Sequence, residues 1–300
     1  MRGIQSIKMM DEYAITIALG IAVSEGYKTL MNYPDYFKFD LIINDYTMGP
    51  HLLAFVHKFN YPPLIGMTAF LNSPNTVDLI GHHYFSGYIP YWSTTYDTNM
   101  TFWERFENTF IYVYDCLIRK YVTVPKLDKI FLPISPPNTP SLGDLQRNTK
   151  LAFVNSNPAI NYPESLPPNV IEIGGMHIKE PKELPKNIEE FMSKSKNGAI
   201  FVAFGTNVNS EMLKGKVNDA IFKVIEDLPE YNFLLKFDLS GHNYTIPKNV
   251  LVQKFFPQRE ILNHPNLKVF VTHSGGLSTQ EATWAGVPTV GFAVIVDNLE

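Results

Sequence analysis

The sequence predicts an α/β protein built on open parallel sheets with helices on both faces. Three observations carry that prediction. From residue 199 onward, short apolar runs alternate with helix-like segments, the pattern of successive βα units. Runs such as FDLIINDY at residues 39–46 are apolar and end on polar residues, as a strand buried on both faces does. The chain has 300 residues and 45% hydrophobic content, enough to bury a sizeable core in one large or two ordinary domains.

Residues 13–32 read as one helix. Within it AITIALGIAV, residues 14–23, has the length of a signal-peptide core. Asp11 and Glu12 stand before it, where a signal carries positive charge, so a buried helix is the expectation. No run reaches the roughly 18 apolar residues that span a bilayer. Residues 39–46 and 64–70 read as strands, with Pro62 and Pro63 breaking the segment between them. Residues 71–100, rich in Tyr, Pro, Ser, Thr and Gly, read as a loop wall. Residues 101–121 have helical spacing through Phe102, Phe106, Phe110, Val113 and Leu117, a stripe expected to face the core. Strands are expected at 151–155 and 170–174. The charged, proline-punctuated KEPKELPKN at 179–187 reads as an interdomain linker. Beyond it come strands at 199–204, 232–237, 250–253, 268–272 and 289–292. Helices are expected around 217–228, 260–262 and 279–285.

Composition narrows the function. A formal charge of −4 with scattered basic residues gives no field for nucleic acid. The lone Cys116 excludes an intrachain disulfide and reads as a packed, inert thiol. The sequons Asn99-Met100-Thr101 and Asn243-Tyr244-Thr245 matter only in a secretory compartment. His82-His83 lacks the carboxylate spacing of a metal site, and no metal is expected.

One stretch carries more chemistry than the rest: FVTHSGGLSTQEATWAGVPTVG, residues 270–291. Ligands of an open parallel sheet bind beyond the carboxyl ends of its strands, and Thr272-His273 lies at such an end. Ser274-Gly275-Gly276 lets backbone approach a ligand. Ser278 then opens a helix, whose first amides favour phosphate. Glu281 suits ribose hydroxyls. Ser278 and Glu281 also spell a capping box, which explains those two residues but not His273 or the glycines. Gly205-Thr206 follows another strand. It lacks the glycine spacing of a dinucleotide fingerprint or a lysine-bearing phosphate loop, which disfavours a redox enzyme or a kinase-type ATPase.

Together these residues resemble the UDP-glycosyltransferase family, particularly its insect members. The likeness runs through Phe255-Phe256-Pro257-Gln258, the histidine loop and Asp297-Asn298, with FDLIINDY, HKFNYPPLIGMTAF, VNSNPAINYPESLPPNVIEIGG and FVAFGTN in matching order from about residue 14. The resemblance implies a GT-B fold, two Rossmann-like domains facing across a cleft. An acceptor-binding domain would cover residues 1–173, a linker 174–190 and a UDP-sugar domain 191–300. Phe255 would stack on uracil with Gln258 beside it. Thr206, His273 and Ser278 would contact the diphosphate, with Gly205 and Gly275 also in the UDP-sugar site, Glu281 would take the ribose hydroxyls, and Asp297 and Asn298 would face the sugar. Phe255 and Asn298 depart from the family's tryptophan and glutamine, and Ala293 stands near an expected proline. Asp45 matches the aspartate that holds a catalytic histidine, and position alone also reads it as a strand-end turn residue.

No histidine precedes Asp45. His51, His57, His82, His83 and His264 read as packing or surface residues. The resemblance implies no cofactor beyond the UDP-sugar co-substrate, a small lipophilic acceptor, a membrane helix further on and an endoplasmic-reticulum enzyme of which this chain is a piece lacking both ends. A homo-oligomer is possible in that family setting. Without its first strands the N-terminal sheet is expected to expose an edge. The alternative is a truncated paralogue that binds UDP-sugar or a partner without catalysis. Another GT-B enzyme, such as a sugar-nucleotide epimerase, fits the aromatic-Pro-Gln element less well.

Overall fold

The computed structural model describes residues 2–34, 36–81, 83–205, 216–238 and 246–292. The chain divides into two compact units, Met1–Gly174 and Gly175–Glu300. Among the described residues no helix is long and apolar enough to cross a membrane.

The first unit opens with α1 (Arg2–Val23) and α2 (Glu25–Met31). The single helix expected over 13–32 is thus two. Ser24 takes an extended conformation and its Oγ accepts from Tyr27 N at 3.2 Å, so it caps a new helix rather than continuing the old one. Ala14 and Ala18 are buried, but Leu19 and Val23 of the same run are exposed, so the helix lays one face on the core and is not the buried helix expected. Next come β1 (Ile42–Asp45), α3 (Ala54–Lys58), β2 (Leu64–Met67), α4 (Pro74–Ile80), α5 (Phe102–Ile118), a π-helical turn at Arg119–Thr123, α6 (Val124–Phe131), α7 (Leu142–Gln146), β3 (Thr149–Val154) and β4 (Val170–Glu172). The four strands are parallel in the order β1-β2-β3-β4. β1 lies at an edge of this sheet, so Ile43 is exposed while Asn44 is buried; the strand is not covered on both faces as its run of apolar residues suggests.

Two further expectations fail here. Residues 71–100 are not all loop: Ser73 and Pro74 start α4, and Thr76 is fully buried with its Oγ1 2.9 Å from Tyr46 Oη. Helix α5 is inverted relative to its expected packing. Phe102, Phe106, Phe110, Val113 and Leu117 face solvent, and Asn108, Ile111 and Asp115 face inward. Polar anchors decide this. Asn108 Nδ2 donates to Ser86 O at 2.7 Å and Ile89 O at 2.9 Å, while its Oδ1 accepts from Tyr91 N at 2.7 Å. Asp115 accepts from the buried Tyr91 hydroxyl and pairs with Arg119, whose Nε reaches Asp78 Oδ2 at 2.8 Å. Turning the apolar face inward would strand all of these groups without partners. Burial pushes the neighbouring Cys116 thiol up to about 11, so little reactive thiolate forms near neutrality.

The second unit contains α8 (Lys186–Ser193), β5 (Ala199–Ala203), α9 (Lys216–Asp227), β6 (Asn232–Lys236), β7 (Val250–Gln253), α10 (Gln258–Leu262), β8 (Leu267–Thr272), α11 (Gly276–Ala285) and β9 (Thr289–Gly291). Residues 179–185 form no helix or strand, and Ile188 and Met192 of α8 join the core. The sheet is parallel in the order β7-β6-β5-β8-β9. The chain builds outward from β5 on one side, then returns to build on the other. The strand order therefore reverses between β5 and β8, which is where such sheets open a crevice for ligands. Phe201 and Phe270 stack with ring centroids 5.2 Å apart, and Phe256 meets Phe201 edge-on at 5.7 Å. This aromatic cluster fixes β5, β8 and the turn before α10 to one another.

Candidate functional site

Register places the ends of β5 and β8 side by side. Ala203 pairs with Thr272, so the turns that follow, Gly205 and His273, are neighbours. Gly205 has φ 77°, and a Cβ there would come within 2.5 Å of His273 Cε1. A Cβ on Gly275 would come within 2.5 Å of His273 Nε2. The imidazole edge is thus held between two positions where only glycine fits. On its other edge, Nδ1 lies 3.4 Å from Thr272 Oγ1. Ser274 turns the chain with φ 61°, an uncommon conformation for a side-chain-bearing residue.

Helix α11 begins at Gly276 with Gly275 as its N-cap, and no side chain caps it. The sequence placed Ser278 at the cap with Glu281 completing a capping box; that arrangement is absent. Ser278 instead lies inside the first turn and accepts a hydrogen bond from Gln258 Nε2 at 3.0 Å. The same amide donates to Glu281 Oε2 at 2.8 Å. An uncapped N-terminus leaves amides for an anion, beside a histidine at a strand-order reversal.

Phe255, 74% exposed, sits next to the buried Phe256 and presents an open ring face. Sequence reasoning missed one support of α11, Gln280, and one neighbour, His177. Gln280 is buried and its Oε1 accepts from Gly175 N at 3.1 Å. His177 Nε2 lies 3.9 Å from Glu281 Oε1, beyond hydrogen-bond reach. A lone histidine in coil gives no periodic or spacing cue to such a placement. Thr206, Asp297, Asn298, His82 and the sequon at Asn243 lie outside the described residues.

Asp45 stands at the carboxyl end of β1 in the first unit. Its Oδ1 accepts from Thr47 N at 2.9 Å, the strand-end turn its position suggests. It lines a cavity of about 150 Å³ with Ile17, Ile21, Asn44 and His51 among its neighbours. His51 is buried and its Nε2 lies 3.0 Å from Ala14 O; His57 Nδ1 lies 3.0 Å from Tyr61 Oη. His264 Nε2 lies 3.4 Å from Glu189 Oε1. Among the described residues no group of three His, Cys, Asp or Glu side chains converges as a metal site would.

The family model described as UDP-glucoronosyl and UDP-glucosyl transferase matches residues 7–300. The chain belongs to this UDP-glycosyltransferase family. UDP-glucosyltransferase 2 of Dactylopius coccus is 32% identical over 265 residues, covering 87% of this chain and 50% of that protein. The ecdysteroid UDP-glucosyltransferase of Mamestra brassicae nuclear polyhedrosis virus is 35% identical over 162 residues, 53% of this chain and 30% of that one. This UDP-glycosyltransferase chain spans about half the length of the Dactylopius relatives it matches. Among solved structures, the glycosyltransferase of kitacinnamycin superposes with TM-score 0.58 at 16% identity, covering 95% of this chain and 64% of that one. Arabidopsis thaliana UGT89C1 complexed with UDP-L-rhamnose superposes with TM-score 0.53 at 13% identity, covering 96% and 59%. The fold is GT-B, with two Rossmann-like domains.

Proposed function

We propose that the second unit is the donor half of an inverting UDP-glycosyltransferase, with UDP-glucose as donor, and that the whole enzyme glucosylates a hydroxyl of a small lipophilic acceptor. The observation that carries this reading is the His273 imidazole held between Gly205 and Gly275 beside the uncapped start of α11. The diphosphate would lie on those amides, with Thr206 and Ser278 near it. Phe255 would stack on uracil and Gln258 would border the base. Glu281 would accept from the ribose hydroxyls in exchange for the Gln258 amide it now holds. Asp297 and Asn298 would face the sugar. The glucosyltransferase names of the relatives support glucose.

In the reaction the acceptor oxygen forms a bond to the anomeric carbon from the face opposite UDP. The bond to the β-phosphate oxygen breaks, and its electron pair leaves on UDP. Helix amides and His273 stabilise that charge without a metal. The acceptor proton passes to a base that Asp45 would orient; no histidine of this chain matches that base. On its own the 300-residue chain is therefore expected to transfer weakly or not at all, and clear product from UDP-glucose would overturn that expectation. For the whole protein the resemblance supports a membrane-anchored enzyme on the lumenal side of the endoplasmic reticulum.

Titration calorimetry tests the donor site. His273→Ala should weaken UDP about tenfold or more, as loss of a charge-assisted hydrogen bond does. Uridine, which lacks phosphate, should bind as before. Equal loss for both ligands would remove His273 from the diphosphate.

A further inference from the structure

His177 carries a buried ring nitrogen with nothing to bond. Its Nε2 is shut off from water and has no hydrogen-bond partner among the described residues. A buried polar atom in that state calls for an explanation, since such groups are normally paired. Glu281 Oε1 lies 3.9 Å from it, about 1 Å too far for a hydrogen bond.

The backbone holds the two groups at this separation. Residues 175–178 form a tight turn, closed by Ile178 N donating to Gly175 O at 2.9 Å. Gly175 has φ 88°, a conformation that favours glycine. The turn is tied to α11 through Gly175 N, which donates to the buried Gln280 Oε1 at 3.1 Å. Further along, Lys182 N donates to Glu260 Oε1 of α10 at 3.3 Å. The segment from Gly175 to Lys182 is therefore fastened at both ends to the two helices that carry Gln258, Ser278 and Glu281. Within the turn Met176 is exposed, whereas His177 lies beside α11.

The Glu281 carboxylate has two oxygens in different settings. Oε2 accepts from Gln258 Nε2 at 2.8 Å, and Oε1 faces His177. Ribose hydroxyls that replaced the Gln258 amide would remove the bond that now fixes the carboxylate. We propose, on the reading of Glu281 as the ribose acceptor, that His177 is a positioning residue of the donor site: as ribose displaces the Gln258 amide, His177 Nε2–H donates to Glu281 Oε1 and steadies the carboxylate against the ribose hydroxyls. The neutral tautomer with its proton on Nε2 suffices, because a carboxylate only accepts. The closure is small, about 1 Å, and it satisfies the unpaired nitrogen at the same time.

Titration calorimetry of the full chain compares UDP with 2′,3′-dideoxyuridine diphosphate, which lacks both ribose hydroxyls. His177→Phe keeps a ring but removes its nitrogens. It should weaken UDP about tenfold, as loss of a hydrogen bond to a charged group does, and leave the dideoxy analogue within about twofold. His177→Ala should show the same selective loss, so the comparison stands even where a phenyl ring disturbs the turn. His177→Gln, which returns an N–H donor, should recover most of the affinity. In a Glu281→Ala chain, His177→Phe should cost nothing further. Equal weakening of both ligands, UDP affinity unchanged in the Phe and Ala variants, or an undiminished loss in the Glu281→Ala background would overturn the proposal. A Glu281→Ala chain that binds UDP as tightly as the unaltered chain would overturn the ribose reading itself, and the role of His177 with it.

Discussion

At Gly205 and Gly275 the missing side chains shape the site as much as the imidazole between them. Gly205→Ala meets both a positive φ and the His273 ring, so it should cost about 1–2 kcal/mol in denaturant unfolding and weaken UDP in the same variant. Gly275→Ala has an ordinary φ of −63°. Its methyl group can be relieved only by moving His273, so it should reduce UDP affinity with a smaller loss of stability. If Gly275→Ala binds UDP normally, the ring is not held where the diphosphate proposal needs it. A different residue sets a pH response. Burial raises the Glu164 carboxyl above its ordinary value, with the Asn72 amide opposing and Glu172 adding to the rise. The folded state then holds a proton that the unfolded state has released. Stability from this group is present below the unfolded value and is lost as pH rises through the folded one. Glu164→Gln should therefore flatten the fall in melting temperature as pH climbs above about 4.5. An unchanged slope would assign that fall elsewhere.

At the scale of elements, α5 shows both what sequence reveals and what it conceals. Its spacing marks a helix, and Thr101 with Glu104 marks the start. Periodicity gives a face, however, and not the direction in which the face points. The direction was set by Asn108, whose three partners at Ser86, Ile89 and Tyr91 come from a loop. Asn108→Ala should cost about 2–4 kcal/mol, because it leaves buried backbone groups unpaired, with the loss read as a lower denaturant midpoint. A cost below about 0.5 kcal/mol would mean that these bonds do not hold the helix. The strand-loop-helix at residues 267–285 was legible because an apolar run, a glycine break and a polar start follow in order. Its helix starts earlier than Ser278 because Gly275 caps by conformation alone, and the Ser-x-x-Glu pattern offered a false frame. The tie from Gln258 to Ser278 and Glu281 joins two helices, and no local pattern encodes it.

At the scale of the whole molecule, the described residues proposed for the donor site belong to one unit and Asp45 to the other. UDP should therefore slow hydrogen exchange in the turns after β5 and β8 and in the first turn of α11, while amides around Asp45 exchange as before. Protection at both ends would show that UDP alone engages more than the donor unit. The α/β class with two Rossmann-like domains was readable from the alternation of strands and helices, whereas the division between the units falls at Gly174–Gly175, ahead of the charged, proline-rich break at 179–187; the strand at 250–253 was read with its observed bounds, while most others differ at an end, because edges and neighbours decide where pairing stops.

The strand order of the second unit has a bearing on how the site comes into being. Ala203 and Thr272 are in register across the sheet, yet roughly 70 residues separate them along the chain. The close approach of Gly205 to His273 thus forms only when two distant segments have found each other, after the slowest kind of loop closure that the unit must make. Recovery of UDP binding during refolding would accordingly lag behind recovery of helical signal, and would report the arrival of the finished sheet.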